Sequence, residues 1–157
     1  MSNNVIFISG ASRGIGNSLA KYFAEKNYTV IGTSRNDFEF DFKSKNLIPI
    51  KLDITSRDDI KNCYKMLKEK NMLPDILVNN AGITSDQLFL RMKDDEWDEV
   101  ISTNLTGVFN LTKVFIKNMI KNKYGRIINI SSISGLMGNP GQVNYSASKS
   151  ALNGFTK

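Results

Sequence analysis

Tyr145 and Lys149 stand four residues apart in the stretch NYSASK, near the end of the 157-residue sequence. On a helix this spacing puts both side chains on one face. An ammonium beside a phenol favours the phenolate and lowers the phenol pKa from its reference value of about 10. A phenol tuned toward neutral pH can give a proton to a forming alkoxide or take one from an alcohol. Ser132, just past the apolar run GRIINIS, offers a hydroxyl that could hydrogen-bond the reacting oxygen. Taken singly, Tyr-x-x-x-Lys also describes an exposed helix face, and Ser132 also reads as a strand-end cap.

A second cluster lies at the other end of the chain. Val5 to Gly16 reads VIFISGASRGIG: a short apolar strand, then a turn with Gly10, Gly14 and Gly16. Leu19, Ala20, Phe23 and Ala24 follow at helical spacing. A strand, a glycine turn and a helix form the arrangement that binds a pyrophosphate. Glycine lets the backbone approach the phosphates, and the helix N-terminus supplies free N–H groups and a positive dipole end. The spacing G-x-x-x-G-x-G differs from the commoner G-x-G-x-x-G, and three glycines also suit a tight strand-to-helix turn.

These two clusters need a scaffold that brings them together, and the rest of the chain reads as one. Tyr28 to Thr33, Leu47 to Leu52, Asp75 to Asn79 and Gly125 to Ser131 are further strand candidates. Pro49 predicts an irregular start to the third strand. Ser34 to Asn46, with alternating Phe38, Phe40 and Phe42, is too short and aromatic for a helix. Ser56-Arg57-Asp58-Asp59 is a capping-box pattern and opens a helix carrying Ile60, Cys63, Tyr64 and Leu67. A long helix is expected from Asp94 to Lys121, with Gly107 packed closely against a neighbour, and a last one near Tyr145. Repeated strand–helix units with short connections mean a parallel sheet with helices on both faces. In such sheets ligands bind at the carboxyl ends of the strands. The unusual clusters Gly10 to Gly16, Ser34-Arg35, Asp53, Asn79 to Gly82 and Ser131-Ser132 all fall there.

Composition removes other classes. The sequence has no His, which excludes Ser-His-Asp catalysis and His-based metal sites. Its single Cys63 forms no internal disulfide and fits a reducing cytoplasm. No run approaches the about 18 apolar residues of a membrane span, and the start MSNN has no signal-peptide pattern. The net charge of +6 points to an acidic partner or ligand, but no stretch interleaves aromatic and basic residues as a nucleic-acid groove would.

GASRGIG at 10–16, NNAG at 79–82, Asn104, Ser132 and YSASK at 145–149 together resemble the short-chain dehydrogenase/reductase family, and the resemblance covers essentially the whole chain. Within it, NNAGITSDQLFLRMKDDEWDEVISTNLTGVFNLTK and GRIINISSISGLMGNPGQVNYSASKSALNGFTK resemble the 3-oxoacyl-[acyl-carrier-protein] reductases. The resemblance implies a Rossmann-type doubly wound α/β domain over residues 1–157, in the cytoplasm, with full-length relatives forming tetramers. It implies that Tyr145 is the acid in ketone reduction and that Lys149 lowers its pKa and holds the nicotinamide ribose. Ser132 would orient the substrate carbonyl, and Asn104 would hold a water relaying protons to Lys149. Gly10, Gly14 and Gly16 would cradle the pyrophosphate, with Ser12, Arg13, Ile15 and Ile54 also at the cofactor. Asp53 would bond the adenine amine, and Asn80, Ala81 and Gly82 would line the cofactor and steady the sheet.

NAD enzymes of this kind use an acid at the end of the second strand to bind the ribose 2′-OH. Here that place reads Thr33-Ser34-Arg35, with no carboxylate before Asp37. Arg13 and Arg35 could pair with a 2′-phosphate, so NADP(H) is the expected cofactor. Lys117, Lys121, Lys123 and Arg126 form a basic rim that would steer an acidic acyl carrier protein; they also read as a solvated basic turn. The chain departs from the family twice. The segment from Arg35 to Leu47 is short, so the helix usual there is expected to be missing. The sequence also stops at Lys157, before the family's last strands and substrate loop, so an incomplete domain is expected.

Overall fold

The computed structural model describes residues 4–157. Five strands form one parallel sheet: β1 (Val5–Ser9), β2 (Thr29–Ser34), β3 (Leu47–Lys51), β4 (Ile76–Asn79) and β5 (Arg126–Asn129). Their order is β3-β2-β1-β4-β5, the doubly wound arrangement that the alternating pattern predicts. Reversal at β1 places a crevice between the ends of β1 and β4, where this architecture binds ligands.

Both faces of the central strands are covered, which is why they read as unbroken apolar runs. Even-numbered Ile6 and Ile8 of β1 pack with Ala20 and Ala24 of α1 (Gly14–Glu25). Odd-numbered Val5 and Phe7 face α2 (Arg57–Glu69) and α4 (Gly107–Lys121), where Phe7 and Phe115 rings lie 4.9 Å apart. Ser56 caps α2 by accepting from the Asp59 N–H at 3.2 Å, as its pattern predicts.

Two expectations need correction. The stretch from Asp94 to Lys121 is not one α-helix. It consists of α3 (Asp94–Ile101), a π turn over Ser102–Thr106 and then α4, with the Gly107 N–H reaching back five residues to Ser102 O. A π turn adds a residue to one winding without ending the helix. The 3.6-residue apolar rhythm therefore continues on either side and hides it. Gly107 is needed there for space, because a Cβ would lie 2.8 Å from Ile54 Cδ1. Pro49 is the second correction: it sits in the middle of β3, opposite Gly32, rather than at an irregular start. β3 is an edge strand, where a missing N–H is tolerated.

The segment between β2 and β3 contains no helix, as expected. Instead Phe38, Phe40 and Phe42 pack in series, edge to face and then tilted, with centroids 5.1 and 5.6 Å apart, and Phe40 fills the space over Gly32. Two short elements escape sequence reading: a 3-10 turn at Phe89–Arg91 and α5 (Ser134–Met137). The last helix, α6 (Val143–Thr156), packs on α3, α5 and the π turn. Among the described residues no helix is long and apolar enough to cross a membrane.

Candidate active site

The carboxyl ends of β1 to β4 enclose a cavity of about 550 Å³. Gly10, Ser12, Arg13, Gly14 and Ile15 line it from the β1–α1 turn, Arg35 from the end of β2, Asp53 and Ile54 from the end of β3, and Asn80, Ala81 and Gly82 from the end of β4. Gly16 lies just beneath. A Cβ there would stand 2.2 Å from Gly10 O and 2.6 Å from Asn80 Nδ2. Gly10 itself has φ of 69° and faces Ala81 so closely that a Cβ would lie 2.8 Å from Ala81 Cα.

The turn is held from outside. Asn80 Nδ2 donates to Ser9 O at 3.0 Å and Gly10 O at 2.9 Å, while Ser9 Oγ accepts from the N–H groups of Asn80 and Ala81. Strand ends β1 and β4 are thereby clasped. The N-terminus of α1 has no side-chain cap and no acid in its first turn. Its N–H groups and positive dipole end are left for an anion. Thr33 is fully buried, lines the same cavity, and its hydroxyl has no partner among the described residues. A dinucleotide fits this donor set: close backbone approach, an uncapped helix end for pyrophosphate, and two arginines.

Charges around the β2 end favour a further anion. Asp37 pairs with Lys51 at 2.9 Å, an exposed pair. Arg35 reaches Glu99 of α3 at 3.5 Å, an exposed and therefore weak pair. Asp53 accepts from the Thr55 N–H and hydroxyl at 2.8 and 2.7 Å through one carboxylate oxygen, so the other oxygen is not used by this turn.

Beyond Gly82 the cavity meets the second cluster. A Cβ on Gly82 would lie 3.3 Å from Asn104 Oδ1 and 3.5 Å from Lys149 Nζ, so that glycine is where the two regions touch. Lys149 is 4% exposed. Its ammonium donates to Ile130 O at 2.7 Å and lies 5.8 Å from the centre of the Tyr145 ring. Ser131 Oγ donates to Lys149 O at 2.9 Å, so the end of β5 grips both the backbone and the side chain of this lysine. α5 presses on the same point, since a Cβ on Gly135 would lie 2.7 Å from Lys149 C. Ser132 Oγ accepts from the Ser134 N–H at 3.2 Å, and its own O–H has no acceptor among the described residues. Asn104 is fully buried in the π turn. Its amide exchanges two hydrogen bonds with Ile83, at 2.8 and 2.9 Å, and donates to Ser148 Oγ at 3.1 Å.

Burial lowers the Lys149 pKa below the usual lysine range, because a cation is poorly solvated there. The unfolded chain then binds the proton more tightly than the folded one. Stability attributable to this group rises with pH, from the lowered pKa up to the ordinary value of about 10.4. Lys149→Met should abolish that rise. The difference in melting temperature between the variant and the wild type should move against the variant as pH increases. A difference independent of pH would mean that Lys149 is not buried as a cation.

Sequence reasoning missed Ile83 and Thr103 in the cavity wall, and Asn144 and Ser148 beside the tyrosine. The legible signal for the last pair is their own spacing of four, which sets two polar groups on an inward helical face.

Comparison with known proteins matches residues 4–157 to the family model of the short chain dehydrogenases. The chain is 41% identical, over its whole length, to the 3-oxoacyl-[acyl-carrier-protein] reductase FabG of Vibrio harveyi, and it spans 66% of that protein's length. Among solved structures, 4-hydroxyisoleucine dehydrogenase complexed with NADH is similar with a TM-score of 0.87 and 38% identity, over 97% of this chain and 66% of that one. A short chain dehydrogenase from Leptospira borgpetersenii with bound NAD+ is similar with a TM-score of 0.93 and 30% identity, over 99% and 64%.

Proposed function

The chain belongs to the short-chain dehydrogenase/reductase family, and on that premise we propose that it is the nucleotide-binding and catalytic part of an NADPH-dependent 3-oxoacyl-[acyl-carrier-protein] reductase. The observation that carries this reading is the continuity at Gly82, where the strand-end cavity adjoins buried Lys149 and Asn104. The relatives named 3-oxoacyl-[acyl-carrier-protein] reductase support the substrate class.

Gly10 to Gly16 and the α1 N-terminus hold the pyrophosphate, Asp53 the adenine, and Lys149 the nicotinamide ribose. A reduced nicotinamide held there would be the hydride source for the 3-keto carbon. Ser132 donates its O–H to the carbonyl oxygen and orients it. Tyr145 gives the proton that makes the product alcohol, and Lys149 holds positive charge near the phenol as it loses that proton. Asn104 braces Ile83 and the helix that carries both. Lys121, Lys123 and Arg126 lie at the amino end of β5, the far end of the strands from the cavity, so in this chain they do not line the approach expected for an acidic carrier protein. The reading places the protein in the cytoplasm, and it is the full-length relatives for which the resemblance implies a homo-oligomer. Reduction of a 3-oxoacyl thioester, followed as NADPH oxidation beside a panel of other ketones, tests this. Preference for another carbonyl would place the protein with a different short-chain reductase.

The structural neighbours were solved with NADH or NAD+. We read this chain as NADP(H)-dependent because Arg13 and Arg35 line one cavity and the end of β2, Thr33-Ser34-Arg35, carries no carboxylate before Asp37. A charge-assisted hydrogen bond contributes about 1.5–3 kcal/mol. Arg13→Ala and Arg35→Ala together should therefore weaken NADPH by at least about tenfold, with much less effect on NADH. Titration of both nucleotides checks this. Equal losses would assign the arginines to loop shape alone.

A further inference from the structure

We infer that Asn144 and Ser148 are positioning residues that hang the Tyr145 peptide from the wall of the nucleotide cavity. The inference rests on the reading of Tyr145 as the proton donor.

Tyr145 stands in the first turn of α6, where N–H groups lack intrahelical acceptors. Its N–H is taken by Asn144 Oδ1 at 2.7 Å. Its C=O accepts from Ser148 Oγ at 2.7 Å. The peptide groups on both sides of the phenol-bearing Cα are thus each bound by a side chain, and both side chains are fully buried. A serine bonding back along its own helix is common. These two differ in where their remaining bonds go.

Asn144 Nδ2 donates to Ser85 O at 3.1 Å and Glu96 O at 3.2 Å. Ser148 Oγ accepts from Asn104 Nδ2, whose amide is locked to Ile83 by two bonds. Each chain of hydrogen bonds therefore reaches the same short stretch, Ile83 to Ser85, and Asn144 ties it to Glu96 of α3 as well. That stretch follows directly on Gly82, and Ile83 itself lines the nucleotide cavity. The same loop is stitched to the entry of α6 twice more: Gln87 N–H donates to Gly141 O at 2.8 Å and Gln142 Nε2 to Asp86 Oδ2 at 3.0 Å. Sideways placement of the phenol is in this way referred to the cavity wall rather than to the helix alone. Asn144, Ser148 and Asn104 are fully buried, so a lost partner there leaves a buried polar atom unpaired.

The test uses Ser148→Ala, Ser148→Thr and Asn144→Ala in the intact protein, with Tyr145→Phe beside them. Misplacement of a reacting group by about 1 Å can cost about 100-fold in rate. Ser148→Ala and Asn144→Ala should lower kcat by about 10- to 100-fold, with nucleotide Kd changed less than about twofold. Ser148→Thr, which keeps the hydroxyl, should restore most of the rate. Independently of activity, the Tyr145 amide should exchange its hydrogen about tenfold faster in Asn144→Ala, as expected for one lost hydrogen bond. Wild-type kcat in both alanine variants, with unchanged exchange, would overturn the inference. So would parallel loss of kcat, nucleotide binding and melting temperature, which marks general unfolding rather than positioning. If Tyr145→Phe turns over normally, the reading of Tyr145 as the acid fails, whatever the other variants do.

Discussion

Tyr145→Phe should lower carbonyl reduction by at least about 100-fold, the lower range for a positioned general acid, while nucleotide binding stays as it was. The substitution keeps the ring and removes only the O–H. The bonds that fix residue 145 are made by its backbone, through Asn144 and Ser148, so they survive. Lys149 keeps its hydrogen bond to Ile130 O, because the phenol is not part of it. What disappears is the one ionisable proton donor beside that lysine, since the sequence contains no His to replace it. Steady-state turnover with a 3-oxoacyl thioester and a separate nucleotide titration check the two halves. Near-normal turnover would remove Tyr145 from the chemistry and leave it a packing residue on α6.

Gly16→Ala should have the second large effect, and a different one: loss of nucleotide binding by at least about tenfold together with a lower melting temperature. The new methyl would stand 2.2 Å from Gly10 O, 2.9 Å from Gly10 C and 2.6 Å from Asn80 Nδ2. Two of these are backbone atoms, so a side chain cannot simply swing away. Either α1 moves outward or Gly10 and Asn80 part, and both routes open the clasp between β1 and β4. Overpacking of this kind costs about 1–3 kcal/mol, and the pyrophosphate loop bears the distortion directly. Gly14→Ala supplies the contrast. A Cβ there meets no protein atom within 4 Å, so the penalty within the protein is its φ of 57°, worth about 1–2 kcal/mol, and any loss of nucleotide binding comes from the methyl facing the pyrophosphate rather than from an opened clasp. Calorimetric titration and thermal melting should therefore separate the two variants. Equal nucleotide affinity in Gly16→Ala and wild type would show that the loop tolerates a wider turn.

How much of this was legible beforehand follows from the range of each interaction. The alternation of strands and helices is local, so Val5 to Ser9 or Arg57 to Glu69 declare themselves by burial period alone. Tyr145 and Lys149 share a helix, and their spacing is likewise local. The π turn at Ser102–Thr106 left no trace, since it preserves the apolar stripe on each side while turning Asn104 toward Ile83. α5 is too short to show a period. The roles of Asn144 and Ser148 depend on partners 59, 48 and 44 residues away, a distance over which residue spacing carries no information. Phe38, Phe40 and Phe42 were visible as an anomaly, but only the open space over Gly32 shows why three aromatics replace a helix.

Pro49 gives the sheet a direction of growth. Asn46 and Leu52 bond β2 through Val30 N–H and Ser34 O, so even-numbered residues of β3 face inward and Leu47, Pro49 and Lys51 turn their backbone groups outward. The free margin of the sheet thus lacks its middle donor, and the segment from Glu39 to Lys45 lies beside it. A strand from another molecule laid against β3 would find its ladder interrupted at the centre. Fusions, tags or β-rich partners tethered near β3 are therefore insulated from recruiting the sheet through that margin.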